Sequence, residues 1–103
     1  MKYKIDFKDL KWESPFEGIE HKYLDQEDIR IRLVEYSKMM PPHWCEKAHY
    51  GYMIDGILDI EYDNEVIRYL KGDGIFIPAG KEHKHKAVAI TDNVKVFFIE
   101  MIE

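Results

Sequence analysis

The sequence predicts an all-β fold of the sandwich or barrel type. Short runs alternate apolar with polar residues, as in Ile29-Arg30-Ile31-Arg32-Leu33 and Leu58-Asp59-Ile60-Glu61-Tyr62. Glycine, proline and Asp-Asn turn signals recur between those runs. No segment carries the apolar period of an ordinary amphipathic helix. Many short strands with frequent turns fit that class best.

The elements follow in order. Residues 1–24 read as an irregular lead-in with one or two short strands, punctuated by Pro15 and Gly18. Asp25-Gln26-Glu27-Asp28 is a polar turn, and the Ile29 to Leu33 alternation is a half-buried strand. Pro41 and Pro42 interrupt pairing, because proline has no amide donor. A strand runs from about His49 to Asp55, and Gly56 makes a tight connection. Leu58 to Tyr62 and Glu65 to Leu70 form a hairpin with its tip at Asp63-Asn64. Ile75 to Ile77 lie between the turns Gly72-Asp73-Gly74 and Pro78-Ala79-Gly80. His83 to Ile90 and Val94 to Met101 form the last pair. The stretch Val94 to Ile99 is apolar on both faces, which suggests that one face meets another layer or a second subunit.

A chain of 103 residues is expected to be one domain, residues 1–103, with a lead-in over 1–17 and a barrel over 18–101. Hydrophobic residues at 46% allow one small core, and a domain of this size is marginal on burial alone. A bound metal or a dimer partner would help it. The net charge of −5 argues against nucleic acid or an anionic membrane as partner. One cysteine makes no intrachain disulfide, and no apolar run has the length of a signal peptide or membrane span. The expected location is the cytoplasm.

Chemistry concentrates in two blocks. The first is Pro42-His43-Trp44-Cys45-Glu46-Lys47-Ala48-His49, followed by Gly56; the second runs from Gly72 to His85. If residues 43 to 49 are extended, His43, Cys45 and His49 share a face and Trp44 and Glu46 point away. His83 and His85 would likewise share a face of a later strand. Neutral imidazole and thiolate suit zinc, iron, nickel or copper, and acidic oxygens for calcium are missing from that face. Each residue also has a plain reading. A lone strand histidine is more often a packing or surface group, and Cys45 alone is an ordinary small buried residue. His21, apart from both blocks, reads as structural or surface. A helix opened by Pro41-Pro42 is an alternative for 43–49, and it would turn His43 away.

Gly72, five residues, Pro78, one residue, Gly80, two residues, His83 closely resembles the second signature of the cupin superfamily. The asparagine that ends the family pattern is Ala87 here. The first signature is matched by register: His43-x-Cys45, three residues, His49, six residues, Gly56. Cys45 stands where the family has its second histidine, and His49 where it has glutamate. The resemblance spans roughly residues 18 to 101. It implies a double-stranded β-helix, a jelly-roll barrel with a metal near its axis. It makes His43, Cys45, His49 and His83 the expected ligands of a divalent transition metal, with zinc or iron favoured and nickel or copper compatible. His85 would line the pocket or act as an acid or base. Homodimers are common in the family.

Two further expectations concern the pocket. Gly51 and Met53 continue the His49 face, and Gly51 leaves space near the metal. Arg30 and Arg32 lie opposite Ile29, Ile31 and Leu33. The plain reading, which we favour, is a solvated charged face; the sharper one is that an arginine clamps a substrate carboxylate or phosphate. Three functions remain open. One is a metal-dependent enzyme of dioxygenase, isomerase or lyase type acting on a small polar molecule. The second is a non-catalytic module that binds or senses metal or a small ligand, and the third is a metal-free jelly roll.

Overall fold

A computed structural model describes residues 1–102; Glu103, the last residue of the expected domain, lies outside the described residues. Ten strands follow in chain order: β1 (Glu13–Phe16), β2 (Ile19–Gln26), β3 (Ile29–Tyr36), β4 (Trp44–Cys45), β5 (His49–Asp55), β6 (Leu58–Glu61), β7 (Val66–Tyr69), β8 (Gly74–Ile77), β9 (His85–Ala89) and β10 (Val94–Met101). Two 3-10 turns, Phe7–Asp9 and Lys81–His83, complete the secondary structure. The strands form a six-stranded sheet in the order β1-β2-β3-β10-β5-β8 and a four-stranded sheet in the order β4-β9-β6-β7. Every pairing is antiparallel. The all-β expectation holds, and the strand order is that of a jelly roll.

Alternation drives the packing. Val94, Val96 and Phe98 of β10 face inward and are buried, together with Val34 and Met53 from the neighbouring strands and Leu58 from the other sheet. The β6–β7 hairpin turns at Asp63-Asn64 as read from the sequence, with the Tyr62 amide donating to the Glu65 carbonyl. Gly56 is needed for its φ of 86° and because a Cβ there would lie 2.8 Å from Val94 Cα.

The outer face of the larger sheet is unusually apolar. Phe76 pairs with Tyr50, Tyr50 with Ile99, Ile99 with Ile31, and Ile31 with Leu24, so one row crosses five strands. Phe7 covers part of the next row by packing edge-on against Phe97. Phe76 and Met101 remain 78% and 64% exposed in the single chain. The second apolar face of β10 is thus real, and within one chain it stays largely open.

This packing inverts the expected orientation of β3. Ile29, Ile31 and Leu33 pair with Met101, Ile99 and Phe97 and belong to the outer face. Arg32, Val34 and Tyr36 point inward instead. Arg32 is therefore no solvated surface charge: only 14% of its side chain is exposed. Arg30 does lie on the surface, where Asp25 holds it in a bidentate pair at 2.7 and 2.9 Å.

Candidate metal centre

The first block is not one extended strand. Pro41 and Pro42 keep β4 to two residues, and the chain then crosses from the smaller sheet to the larger before β5 opens at His49. A backbone bond from the Gly80 amide to the Glu46 carbonyl, 3.0 Å, ties this crossing to the second block. Cys45 stays on the smaller sheet, directly opposite His85 on β9. Cross-strand partners project to the same side. His49 reaches them from the other sheet.

Cys45 Sγ, one nitrogen of His49 and one of His85 all lie within 4.8 Å of one another. Cys45 Sγ and His49 Nε2 are 3.9 Å apart. The two imidazole rings meet edge-on with centroids 5.1 Å apart. Both rings are held from behind. His49 Nδ1 donates to Glu100 Oε2 at 2.8 Å, and His85 Nδ1 donates to the His83 carbonyl at 3.1 Å. A carboxylate and a carbonyl only accept, so the proton sits on Nδ1 in each ring and the Nε2 lone pair faces inward. His85 is 4% exposed, and its Nε2 is buried with no hydrogen-bond partner. An orphaned buried acceptor carries a cost of about 1–3 kcal/mol. A metal ion would remove that cost, and the donor set of one thiolate and two Nε2 atoms fits a borderline ion.

The electrostatics suit the same role. The adjacent His49 and then His85 rings, with the Lys47 amide donating to the sulfur, bring the Cys45 thiol down to about 5 against the opposing effect of burial. The group is a thiolate at neutral pH, ready to bind metal. Burial alone would lower the His49 pKa, yet its bonds to Cys45 and Glu100 outweigh burial and raise it. Burial would raise Glu100, but His49 and Arg32 hold it ionised. Glu100 Oε2 accepts from His49 and from Arg32 Nη2, the latter at 2.7 Å. Arg32 Nη1 reaches back to His21 Nδ1 at 3.3 Å, and His21 is a buried structural group.

The structure departs from the sequence reading at named residues. The His83 ring is not in the three-atom group. His83 ends the 3-10 turn Lys81–His83, beside Glu82, and offers its carbonyl rather than its ring to the site. The turn breaks the alternation that would have put His83 and His85 on one face. His85, the first residue of β9, takes the inward place. His43 lies before β4, tilted against Phe16 with Nδ1 3.3 Å from the Pro41 carbonyl; it lines the cavity but is outside the three-atom group. Gly51 does not leave room for a ligand. A Cβ there would lie 2.6 Å from Phe98 Cδ1, so the space is already filled by the Phe98 ring. Glu100 was not singled out from sequence. Its signal was its place as the one carboxylate in the Val94 to Met101 strand, in phase with Val94, Val96 and Phe98.

The three side chains open onto a cavity of about 210 Å³ between the sheets. Ile19, Leu58, Ile60, Ile75 and Phe98 give it apolar walls.

The cupin-domain family profile matches residues 31–100. The chain is a cupin. Among solved structures, this cupin is similar to KdgF from Halomonas sp., with 23% identity, 93% of this chain and 91% of that one covered, and a TM-score of 0.75. It is also similar to the polyketide cyclase RemF from Streptomyces resistomycificus, with 21% identity, coverage of 100% and 81%, and a TM-score of 0.79. An RmlC-like cupin from Shewanella frigidimarina superposes with a TM-score of 0.79 at 14% identity, covering 100% of this chain and 93% of that one. At such identities the likeness shows the fold. No curated protein matches the sequence at a significant level. No helix among the described residues is long and apolar enough to cross a membrane. The family is one of small-molecule binders, and the cavity fits that reading.

Proposed function

We propose that this cupin is a metal-dependent enzyme acting on a small polar molecule, with Cys45, His49 and His85 as the protein ligands. One observation carries the reading: two buried imidazoles, each locked with Nδ1 engaged elsewhere, turn their Nε2 atoms toward one thiolate beside an open cavity. Three protein ligands with an open side are the pattern of catalytic rather than structural zinc sites. That favours an enzyme over a closed sensing module. A bound ion would supply Lewis-acid polarisation or an activated water. The chain's own part is to hold the ligand atoms, exclude bulk water with Phe98 and the aliphatic walls, and fix the histidine tautomers through Glu100 and the His83 carbonyl. Dioxygenase, isomerase and lyase chemistries all occur on this fold, so the fold does not choose among them. His43, at the exposed side of the cavity, is a further donor on hand.

Cobalt(II) titration tests the reading. At pH 7.5 we expect one cobalt per chain with a thiolate-to-cobalt absorption band, and Cys45→Ser to remove the band. Protons compete for the same lone pairs. Affinity is expected to fall by up to about tenfold per pH unit below the raised pKa of His49, and more steeply below about 5, where Cys45 also protonates. Fewer than about 0.1 cobalt per chain would remove the metal site.

The open outer face of the larger sheet supports a homodimer as the working unit. The occupant we infer is a second copy, because an uncharged row five strands wide, left open in the single chain, can pack on its own counterpart about a two-fold axis. Sedimentation at micromolar concentration is expected to give twice the chain mass of 12.4 kDa, and Ile99→Asp to return the monomer. A monomer for the unaltered chain would refute this.

A further inference from the structure

We propose that the cavity selects a small organic anion, a monocarboxylate with an apolar body, for which Arg32 and Lys47 supply the countercharge. The proposal rests on the functional reading above and names the substrate class of that site.

The chain carries 20 acidic residues against 15 lysines and arginines. A cavity lined at random would hold carboxylates. Among the described residues, none lines this one, whereas Arg32 and Lys47 both do. Their surroundings differ. Arg32 is largely buried, and of the five N–H donors of a guanidinium only two meet protein partners, His21 and Glu100. Its Nε is buried without one. Glu100 stands behind Arg32 and offsets part of its charge, so the inner cation is suited to a single negative group rather than a phosphate dianion. Lys47 is exposed, forms no ion pair among the described residues, and lines the cavity two residues after Cys45. It is placed to attract an anion from solution.

Size and lining narrow the class. A cavity of about 210 Å³ falls below the ~300–1,000 Å³ of pockets for drug-sized ligands. Ile19, Leu58, Ile60 and Ala87 make the wall away from the Cys45, His49 and His85 group apolar. A nucleotide or oligosaccharide is too large and too polar for it. A short-chain acid matches both the countercharge and the wall.

Butyrate and butyramide are nearly equal in shape and differ in charge. Zinc occupancy is measured first, without either ligand, so that failure of the metal site is recorded separately. Both ligands are then titrated at constant ionic strength into zinc-loaded and metal-free protein, and binding is read from the NMR shifts of the Ile60 and Ala87 methyl groups. We expect butyrate to bind the zinc-loaded protein at least tenfold more tightly than butyramide. Lys47→Gln should weaken butyrate by about two- to fivefold, the range of an exposed ion pair, and leave butyramide unchanged. Equal binding of acid and amide would overturn the proposal. So would butyrate binding that Lys47→Gln leaves unchanged, because Lys47 would then supply no countercharge. If zinc fails to bind, the same two criteria applied to the metal-free titration decide the matter.

Discussion

Replacing His85 with alanine is expected to lower zinc or cobalt affinity by at least about 100-fold, and His83→Ala to change it by less than about threefold. The contrast follows from geometry. His85 is buried opposite Cys45, with its Nε2 directed inward and unpartnered. The His83 ring is outside, beside Glu82, and only its backbone carbonyl serves the site, which alanine keeps. His49→Ala should match His85→Ala. Calorimetric titration with zinc separates these outcomes, with circular dichroism to show that each variant folds. A large loss in His83→Ala with His85→Ala unaffected would mean that the 3-10 turn rearranges on binding and that the ligand set is wrong.

The second large effect belongs to a residue that touches no metal. Glu100→Gln is expected to lower metal affinity by about 10–100-fold, the usual consequence of losing the carboxylate behind a ligating histidine. The native carboxylate accepts from both His49 Nδ1 and Arg32 Nη2 through one oxygen. Glutamine keeps the shape but not the charge, and its amide nitrogen can turn toward the ring. Two things then change together. His49 loses the acceptor that pins its tautomer, and the inward-facing Arg32 is left without an ionised partner, which destabilises the fold as well. To separate the two, affinity is compared with the 15N shifts of the two His49 ring nitrogens, which report the tautomer. Unchanged zinc affinity with altered ring-nitrogen shifts would show that tautomer control does not matter here.

Much of the architecture could be read from alternation and turns. The hairpin from Leu58 to Tyr69 and the breaks at Pro41-Pro42 and Gly72 to Gly74 appear as expected. The last two strands are present but do not pair with each other: β9 joins β4 and β6 in the smaller sheet, and β10 crosses to lie between β3 and β5 in the larger one. The orientation of β3 could not be read that way. Ile29, Ile31 and Leu33 suggest a buried face only if the opposite face of the sheet is wet, and here the outer face is apolar too. Period two fixes which residues go together but not which side is inside. The site was half legible for a related reason. Cys45 and His49 were found by spacing, though they meet by crossing between sheets rather than along one strand. Choosing between His83 and His85 depends on where β9 begins. That start follows from the turn after Gly80, whose φ of 126° no residue count reveals. Glu100 was hidden among hydrophobic neighbours, because its value lies in a contact 51 residues away in sequence.

The position of Glu100 near the end of β10 ties mechanical fidelity to chemistry. β10 lies between β3, which bears the guanidinium, and β5, which bears the imidazole, and it aligns with each by its own ladder. A slip of one residue along either ladder would swing the carboxylate to the outside and bring Ile99 in. The hydrophobic fit of Val94, Val96 and Phe98 therefore acts as the ruler that keeps the acid in place. Swaps among those three side chains, far from any reacting atom, would be felt as changes in ion retention before they were felt as unfolding.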